Sequence, residues 1–98
     1  MPGGEVGSGG IIVYSKPGCH LCDEGFEKVK MIAARFQLTV TKVDILSHPD
    51  LEVRHGERIP VVEYAGEILC WGRISEKRLD REIRKRLENQ GQSPISER

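Results

Sequence analysis

Apolar positions along the chain change spacing several times, and each change predicts a new secondary-structure element. Residues 11–14 form a continuous, mostly β-branched run between a glycine and the sequence Ser-Lys-Pro-Gly, which predicts a strand buried on both faces. From Leu21 onwards apolar residues recur at three- and four-residue steps, which predicts an amphipathic helix. The apolar face of this helix holds Cys22, Phe26, Val29, Ile32, Ala33 and Phe36.

Three further segments predict strands. Residues 38–45 are β-branched, but their apolar spacing slips midway, which indicates an edge strand or an irregularity. Residues 60–64 and 67–71 are short apolar segments that predict a hairpin around Ala-Gly. Ala-Gly suits a two-residue turn less well than Asn-Gly does, so the sequence also allows a longer loop.

Two more helices follow from capping signals and periodicity. Ser47 as N-cap, Pro49 near the first turn and Gly56 as a stop predict a short helix. Ser75 precedes a last helix whose apolar positions recur every four residues, at Leu79, Ile83 and Leu87.

This order of elements predicts an α/β domain with its chemistry at one edge. A right-handed crossover makes the first two strands parallel. If the third strand pairs with the first in the antiparallel sense, the fourth runs parallel to the first. Segments 16–22, 58–60 and 71–73 then meet at one end of the sheet, where loops on a rigid scaffold form functional sites.

Composition and charge narrow the class of protein. The 98 residues suit one domain, which we place at 11–90 between flexible polar tails at 1–10 and 91–98. Fifteen basic and fifteen acidic residues leave no net charge to favour nucleic acid or membrane. Three cysteines, with no signal peptide or apolar membrane-spanning run, indicate a protein of a reducing compartment, and we expect it to be cytoplasmic.

The pair Cys19 and Cys22 is the main candidate for chemistry. The unpaired N–H groups at a helix start favour a negative charge, and Lys16 and His20 add positive charge nearby, so Cys19 is placed to act as a thiolate. Cys22 lies one turn further along, on the apolar face. An exposed nucleophile with a sheltered partner is the arrangement that disulfide exchange requires.

Other interpretations of the cysteines stay open. A Cys-x-x-Cys motif can be half of a zinc site completed by His20, His48 or His55, although the spacing lies outside the usual zinc-finger ranges. It can also bind an iron–sulfur cluster across a dimer. His55 is better explained as a favourable charge at a helix C-terminus. Cys70, in a predicted strand, is expected to be a buried small apolar residue.

Two further features carry weaker signals. Ile59-Pro60 opens the third predicted strand, where proline is tolerated because it has no N–H for the ladder, and the residues alone do not indicate a cis bond. The last helix has a basic outer face that would suit an adaptor docking a partner, although such faces are usually only solvated. That face holds Arg78, Arg81, Arg84, Lys85 and Arg86.

With Lys-Pro-Gly-Cys-His-Leu-Cys after the first strand and Ile-Pro-Val-Val opening the third, the chain resembles the small glutaredoxin-like proteins of the thioredoxin superfamily. The resemblance covers roughly residues 11–88. It implies a thioredoxin fold, with a mixed four-stranded sheet and helices on both faces. It also implies that Cys19 is the nucleophile, that Cys22 is the resolving thiol and that Pro60 is cis.

The same resemblance implies a substrate-binding set. Lys16, the backbone of Ile59, and the stretch containing Gly72 and Arg73 would hold an extended peptide or glutathione. Dithiol glutaredoxins commonly have Pro-Tyr between the cysteines, where this chain has His20 and Leu21. The residues before Pro60 and after the fourth strand also depart from the common pattern, with arginines at Arg58 and Arg73 that would suit a carboxylate clamp.

Together these features predict a monomeric thiol-disulfide oxidoreductase that acts on protein or glutathione disulfides. The chemistry requires no metal or organic cofactor, and glutathione is a candidate electron donor. The alternatives are a thioredoxin-fold module that holds zinc or an iron–sulfur cluster, and a partner-docking adaptor.

Overall fold

The computed structural model describes residues 10–89 and shows a four-stranded mixed sheet flanked by helices. The strands are β1 (Gly10–Ser15), β2 (Thr39–Asp44), β3 (Val61–Tyr64) and β4 (Glu67–Trp71). The helices are α1 (His20–Arg35), α2 (Pro49–His55) and α3 (Glu76–Asn89), with a 3-10 turn at Ile45–Ser47. The predicted tails lie outside the described residues, apart from Gly10, which is the first residue of β1.

The strand order β2-β1-β3-β4 confirms the predicted topology. Strands β1 and β2 are parallel, β3 runs antiparallel to β1, and β4 runs antiparallel to β3. The residue run 38–45 therefore does contain an edge strand. The ends of β1 and β4 and the start of β3 share one edge of the sheet, so the loops expected to carry the site do converge.

The sheet is covered on both faces, as the resemblance implied. On one face Ile11 and Val13 of β1 pack in the larger core, together with buried residues of α1 and α3. Alternate residues of β1, Ile12 and Tyr14, belong to a smaller cluster with Ile45 and Leu51. Because successive strand side chains point to opposite faces, the two clusters lie on opposite sides of the sheet.

The turn between β3 and β4 has two residues and is not the longer loop that the sequence also allowed. Ala65 and Gly66 both have positive φ, 54° and 82°, as in a two-residue turn that matches the twist of its strands. The allowance for a longer loop was therefore unnecessary. A register shift between Val62 and Glu63 leaves Leu69 unpaired in β4, so Leu69 and Cys70 are both buried.

The start of α2 differs from the prediction by one residue. The carboxylate of Asp44 accepts the Leu46 N–H at 2.9 Å and caps the 3-10 turn, which ends at Ser47. His48, rather than Ser47, is therefore the N-cap of α2, and its side chain makes no capping hydrogen bond. Gly56 follows the helix as its C-cap, as expected.

His55 is buried at the end of α2 and does not carry the exposed charge that we expected. Its side chain is 3% exposed, and its ring stacks on Tyr14 with centroids 4.5 Å apart. Burial is the main cause that lowers the pKa of His55, and Arg54 and Arg58 lower it further while Glu63 opposes them. Within the described part of the chain, Nε2 has no hydrogen-bond partner. The ring is therefore neutral at neutral pH.

Helix α1 approaches the sheet edge closely at Gly25. A Cβ at this position would lie 2.9 Å from Cγ1 of Ile74 and 3.1 Å from Cγ of Pro60. Gly25 is buried on the same face as Cys22 and Val29, so the sequence signal was a glycine at an otherwise apolar helical position. Because the side chain is absent, α1, Pro60 and the loop after β4 pack directly against one another.

We predict that stability falls in mild acid because of His55. Folding lowers the pKa of this histidine, so the unfolded chain binds a proton that the folded chain rejects. Its contribution is complete above the ordinary value of 6.5 and is lost as the pH falls below it, with a slope of at most about 1.4 kcal/mol per pH unit. Urea unfolding of the His55→Phe variant should show a shallower acid slope, whereas the exposed control His48→Asn should keep the wild-type slope. Equal slopes in all three proteins would contradict the assignment.

We also predict that Gly25→Val destabilises the fold by about 1–3 kcal/mol, the usual cost of overpacking a close contact. Valine is a better helix former than glycine, so any loss must come from the contact with Ile74 and Pro60. Ala34→Val places the same side chain on the exposed side of α1 and should cost less than about 1 kcal/mol. Urea unfolding compares the two, and equal losses would show that Gly25 is not a packing position.

Candidate active site

Cys19 occupies the N-cap position of α1, directly after the turn that ends β1. Its backbone is extended, with φ −96° and ψ 106°, and its carbonyl accepts the Asp23 N–H at 3.1 Å. Its Sγ accepts the Cys22 N–H at 3.2 Å. The side chain is partly exposed. The sulfur therefore takes the role that a serine or aspartate oxygen has in many helix caps, and it remains open to solvent on one side.

Cys22 lies behind Cys19 and is fully buried, with 0% of its surface exposed. Burial is the main cause that raises the pKa of the Cys22 thiol, and a hydrogen bond with Cys19 raises it further. A hydrogen bond with the backbone of Lys16 opposes the shift without cancelling it. Cys22 is thus a protonated thiol at neutral pH, while both cysteines are free rather than disulfide-bonded.

The turn before β3 forms a second wall at this end of the sheet. The Ile59-Pro60 peptide bond is cis, which agrees with the implication of the resemblance. Pro60 is fully buried against α1, whereas Ile59 is only partly buried and packs with the smaller cluster. Pro60 therefore packs in the interior, whereas Ile59 is the residue of this pair that reaches the surface.

The loop after β4 is tied to that wall by backbone hydrogen bonds. The Gly72 N–H donates to the carbonyls of Arg58, at 3.0 Å, and of Pro60, at 2.9 Å. Nζ of Lys28 on α1 donates to the carbonyl of Ile74 at 3.1 Å. Lys28 thus fixes the loop against the helix that carries the cysteines.

The other predicted binding residues lie on different sides of the cysteines. Lys16 is exposed and lines a small cavity of about 170 Å³ with Asp23, Lys42 and Asp44, on the β2 side. Gly72 and Arg73 follow β4, two strands away from β1. His20 is exposed at the first residue of α1. These residues stay predicted contacts around the cysteine pair.

Arg58 makes a contact that the sequence did not suggest. Its guanidinium lies over the ring of Trp71, 5.6 Å from the centroid. Among the described residues, neither Arg58 nor Arg73 has a carboxylate within ion-pair distance. The expected clamp, in which Arg58 and Arg73 bind a carboxylate of the substrate, stays a prediction.

The other candidates for metal or redox chemistry were a histidine-completed metal site and Cys70. Over residues 10–89 no three His, Cys, Asp or Glu side chains are placed to hold a metal ion. Cys70 is 6% exposed, and burial is the main cause that raises its pKa to about 11. Cys70 is thus the small buried residue that the sequence predicted.

None of the helices within 10–89 is long and apolar enough to cross a bilayer.

Comparison with solved structures finds the same fold in several proteins. The X-ray structure of target protein XcR50 from X. campestris is 28% identical, with a TM-score of 0.64 over 76% of this chain and 96% of that one. The solution structure of protein Ne2328 from Nitrosomonas europaea is 21% identical, with a TM-score of 0.62 over 70% and 84%.

Thioredoxin 1 from Thermosipho africanus is 17% identical, with a TM-score of 0.62 over 84% of this chain and 98% of that chain, which shows a shared thioredoxin fold. None of the curated proteins matches the sequence significantly. The model of the glutaredoxin-like domain (DUF836) family matches residues 10–84, a span that holds both Cys19 and Cys22. The chain therefore belongs to the glutaredoxin-like domain (DUF836) family and has the thioredoxin fold.

Proposed function

We propose that the protein is a thiol-disulfide oxidoreductase in which Cys19 is the nucleophile and Cys22 is the resolving thiol. The observation that carries the proposal is the geometry at the start of α1. The Cys19 sulfur accepts the Cys22 N–H at 3.2 Å and stays partly exposed, while Cys22 is fully buried behind it. The family membership and the Cys-x-x-Cys pair fit this redox chemistry.

The first step uses the exposed sulfur. The Cys22 N–H and the other unpaired amides of the first turn stabilise negative charge on Cys19. The Cys19 thiolate attacks one sulfur of a substrate disulfide. A Cys19–substrate disulfide forms, and the other substrate sulfur departs as a thiolate.

The second step uses the buried sulfur. Because its pKa is raised, Cys22 remains protonated during the first step and does not compete for the substrate. Cys22 then loses its proton to the departing thiolate or to water and attacks the Cys19 sulfur, which forms a Cys19–Cys22 disulfide, breaks the Cys19–substrate bond and expels the second substrate sulfur as a thiolate. The substrate leaves with both sulfurs reduced, and the two electrons come from the Cys19–Cys22 dithiol.

The proposed substrate is a disulfide of a protein or of glutathione, with glutathione or another thiol as electron donor. The proposed contacts around it are Lys16, His20, Ile59, Pro60, Gly72 and Arg73. We place the reaction in the cytoplasm, where thiols are kept reduced, and propose that a monomer suffices. The chemistry needs no metal or organic cofactor.

We predict opposite phenotypes for the two cysteine variants. Cys19→Ser removes the nucleophile and should reduce disulfide turnover to background. Cys22→Ser keeps the nucleophile but lacks the resolving thiol, so it should accumulate a mixed disulfide with its substrate. Mass spectrometry of the intact protein after incubation with a disulfide peptide detects that adduct.

Cys70→Ala is the matched control, because Cys70 is a third free cysteine that lies outside the pair. It should retain wild-type turnover and should form no stable adduct. Full activity in Cys19→Ser, or an adduct on Cys70 instead of Cys19, would contradict the assigned roles.

A further inference from the structure

Trp71 and nearby arginines form an exposed surface at the same end of the sheet as the cysteine pair. Trp71, the last residue of β4, is 55% exposed, and Ile68 on the same strand is 46% exposed. Ile68 and Trp71 line the same shallow cavity, so they form one exposed apolar patch, and such patches are typical of interaction sites. Trp71 immediately precedes Gly72, whose N–H is bonded to the turn that contains Pro60.

A shallow cavity extends this surface along β4 towards α3. Its volume is about 380 Å³, and its lining includes Cys70, Trp71 and Arg78. The guanidinium of Arg58 also lies over the Trp71 ring, 5.6 Å from its centroid. We call Arg58, Ile68, Trp71 and Arg78 the Trp71 surface.

The arginines of the Trp71 surface differ from most other arginines of the protein. Arg35, Arg54, Arg84 and Arg86 each have a carboxylate partner. Neither Arg58 nor Arg78 has a carboxylate within 4.0 Å among residues 10–89. The Trp71 surface therefore carries positive charge that the fold itself does not neutralise.

Two carboxylates on β4 and α3 pair with Arg86. Glu67 at the start of β4 accepts a hydrogen bond from Nε of Arg86 at 3.0 Å. Glu82 on α3 pairs with the same Arg86 and with Lys85. Glu52 and Glu57 line a shallow cavity with Arg58, but neither forms an ion pair with it among the described residues. Acidic groups supplied by a partner are the natural complement.

From this arrangement we infer that the Trp71 surface docks an acidic, partly apolar polypeptide segment of the disulfide-bearing substrate. The inference rests on the proposed function, since the docked protein is the one whose disulfide reaches Cys19. Trp71 supplies a rigid apolar contact, and the arginine forks on either side bind carboxylates. The surface lies at the same end of the sheet as Cys19, so docking holds the substrate near the nucleophile.

Trp71 is the single tryptophan of the chain, so its fluorescence reports docking without any redox chemistry. The probes are a cysteine-free peptide of alternating glutamate and leucine, a matched lysine–leucine peptide, and glutathione. The glutamate peptide should bind at least about tenfold more tightly than the lysine peptide, and the preference should shrink when salt is raised from about 0.05 M to about 0.5 M.

Variants on α3 provide the charge test. Arg78→Gln should reduce the preference for the acidic peptide severalfold, and Arg78→Glu should abolish or reverse it. Arg81→Gln is the matched control, since Arg81 is also exposed on α3 without an ion-pair partner in the described range but does not line the cavity. It should bind like the wild type. Thermal unfolding checks that each variant is folded.

Some outcomes overturn the inference. They are equal binding of the two peptides, an equal effect of Arg78→Gln and Arg81→Gln, or saturation of Trp71 by glutathione as tightly as by the acidic peptide. A parallel single-turnover assay uses disulfide-linked versions of the peptides and the reduced protein. If the protein reduces both disulfide-linked peptides equally fast, the docking inference is wrong and the proposed function stands. If the protein binds the acidic peptide more tightly but reduces neither disulfide, the proposed function is wrong and the docking inference stands.

Discussion

The hydrogen bond from the Cys22 N–H to the Cys19 sulfur is the interaction on which the account of this protein depends. It makes one cysteine the cap of a helix and places the other one turn inside that helix. At the cap position Cys19 stays partly exposed while its sulfur accepts the Cys22 N–H. Burial raises the pKa of the second thiol, so the two sulfurs of one short motif acquire different chemical roles.

The rest of the fold supports this helix start from three directions. Strand β1 delivers the chain to the turn before Cys19, and the buried Pro60 packs against Gly25 of α1. Lys28 and the Gly72 amide join the loop after β4 to the same assembly. Because these contacts are backbone or close-packed, the relative positions of the cysteines, the turn before β3 and the loop after β4 are tightly specified.

Sequence patterning predicted most of the fold because the elements are long or strongly periodic. Spacing and the handedness of crossovers predicted that β1 and β2 are parallel. The resemblance implied the mixed four-stranded sheet, and the convergence of loops depended on an assumed antiparallel pairing of the third strand with the first. Boundaries set by local hydrogen bonds were harder. The Asp44 cap shifted the start of α2 from Ser47 to His48, and Ala65 adopted a positive φ that alanine seldom takes.

For the candidate site, too, the sequence predicted some features and missed others. The order of Cys19 and Cys22 could be predicted, because helical periodicity separates an end position from an apolar face. The burial of His55, the close approach at Gly25 and the contact of Arg58 with Trp71 could not, since each depends on which residues distant in sequence the fold brings together. An isolated glycine or arginine has no periodicity to reveal its neighbour.

The most direct test of the central claim is a redox titration of the full chain in buffers of graded reduced and oxidised dithiothreitol. Acid quenching and peptide mapping at each ratio identify the disulfide that forms. The account predicts one reversible two-electron transition that links Cys19 to Cys22 and leaves Cys70 a free thiol. The absence of a reversible transition, or a disulfide that involves Cys70, would contradict it.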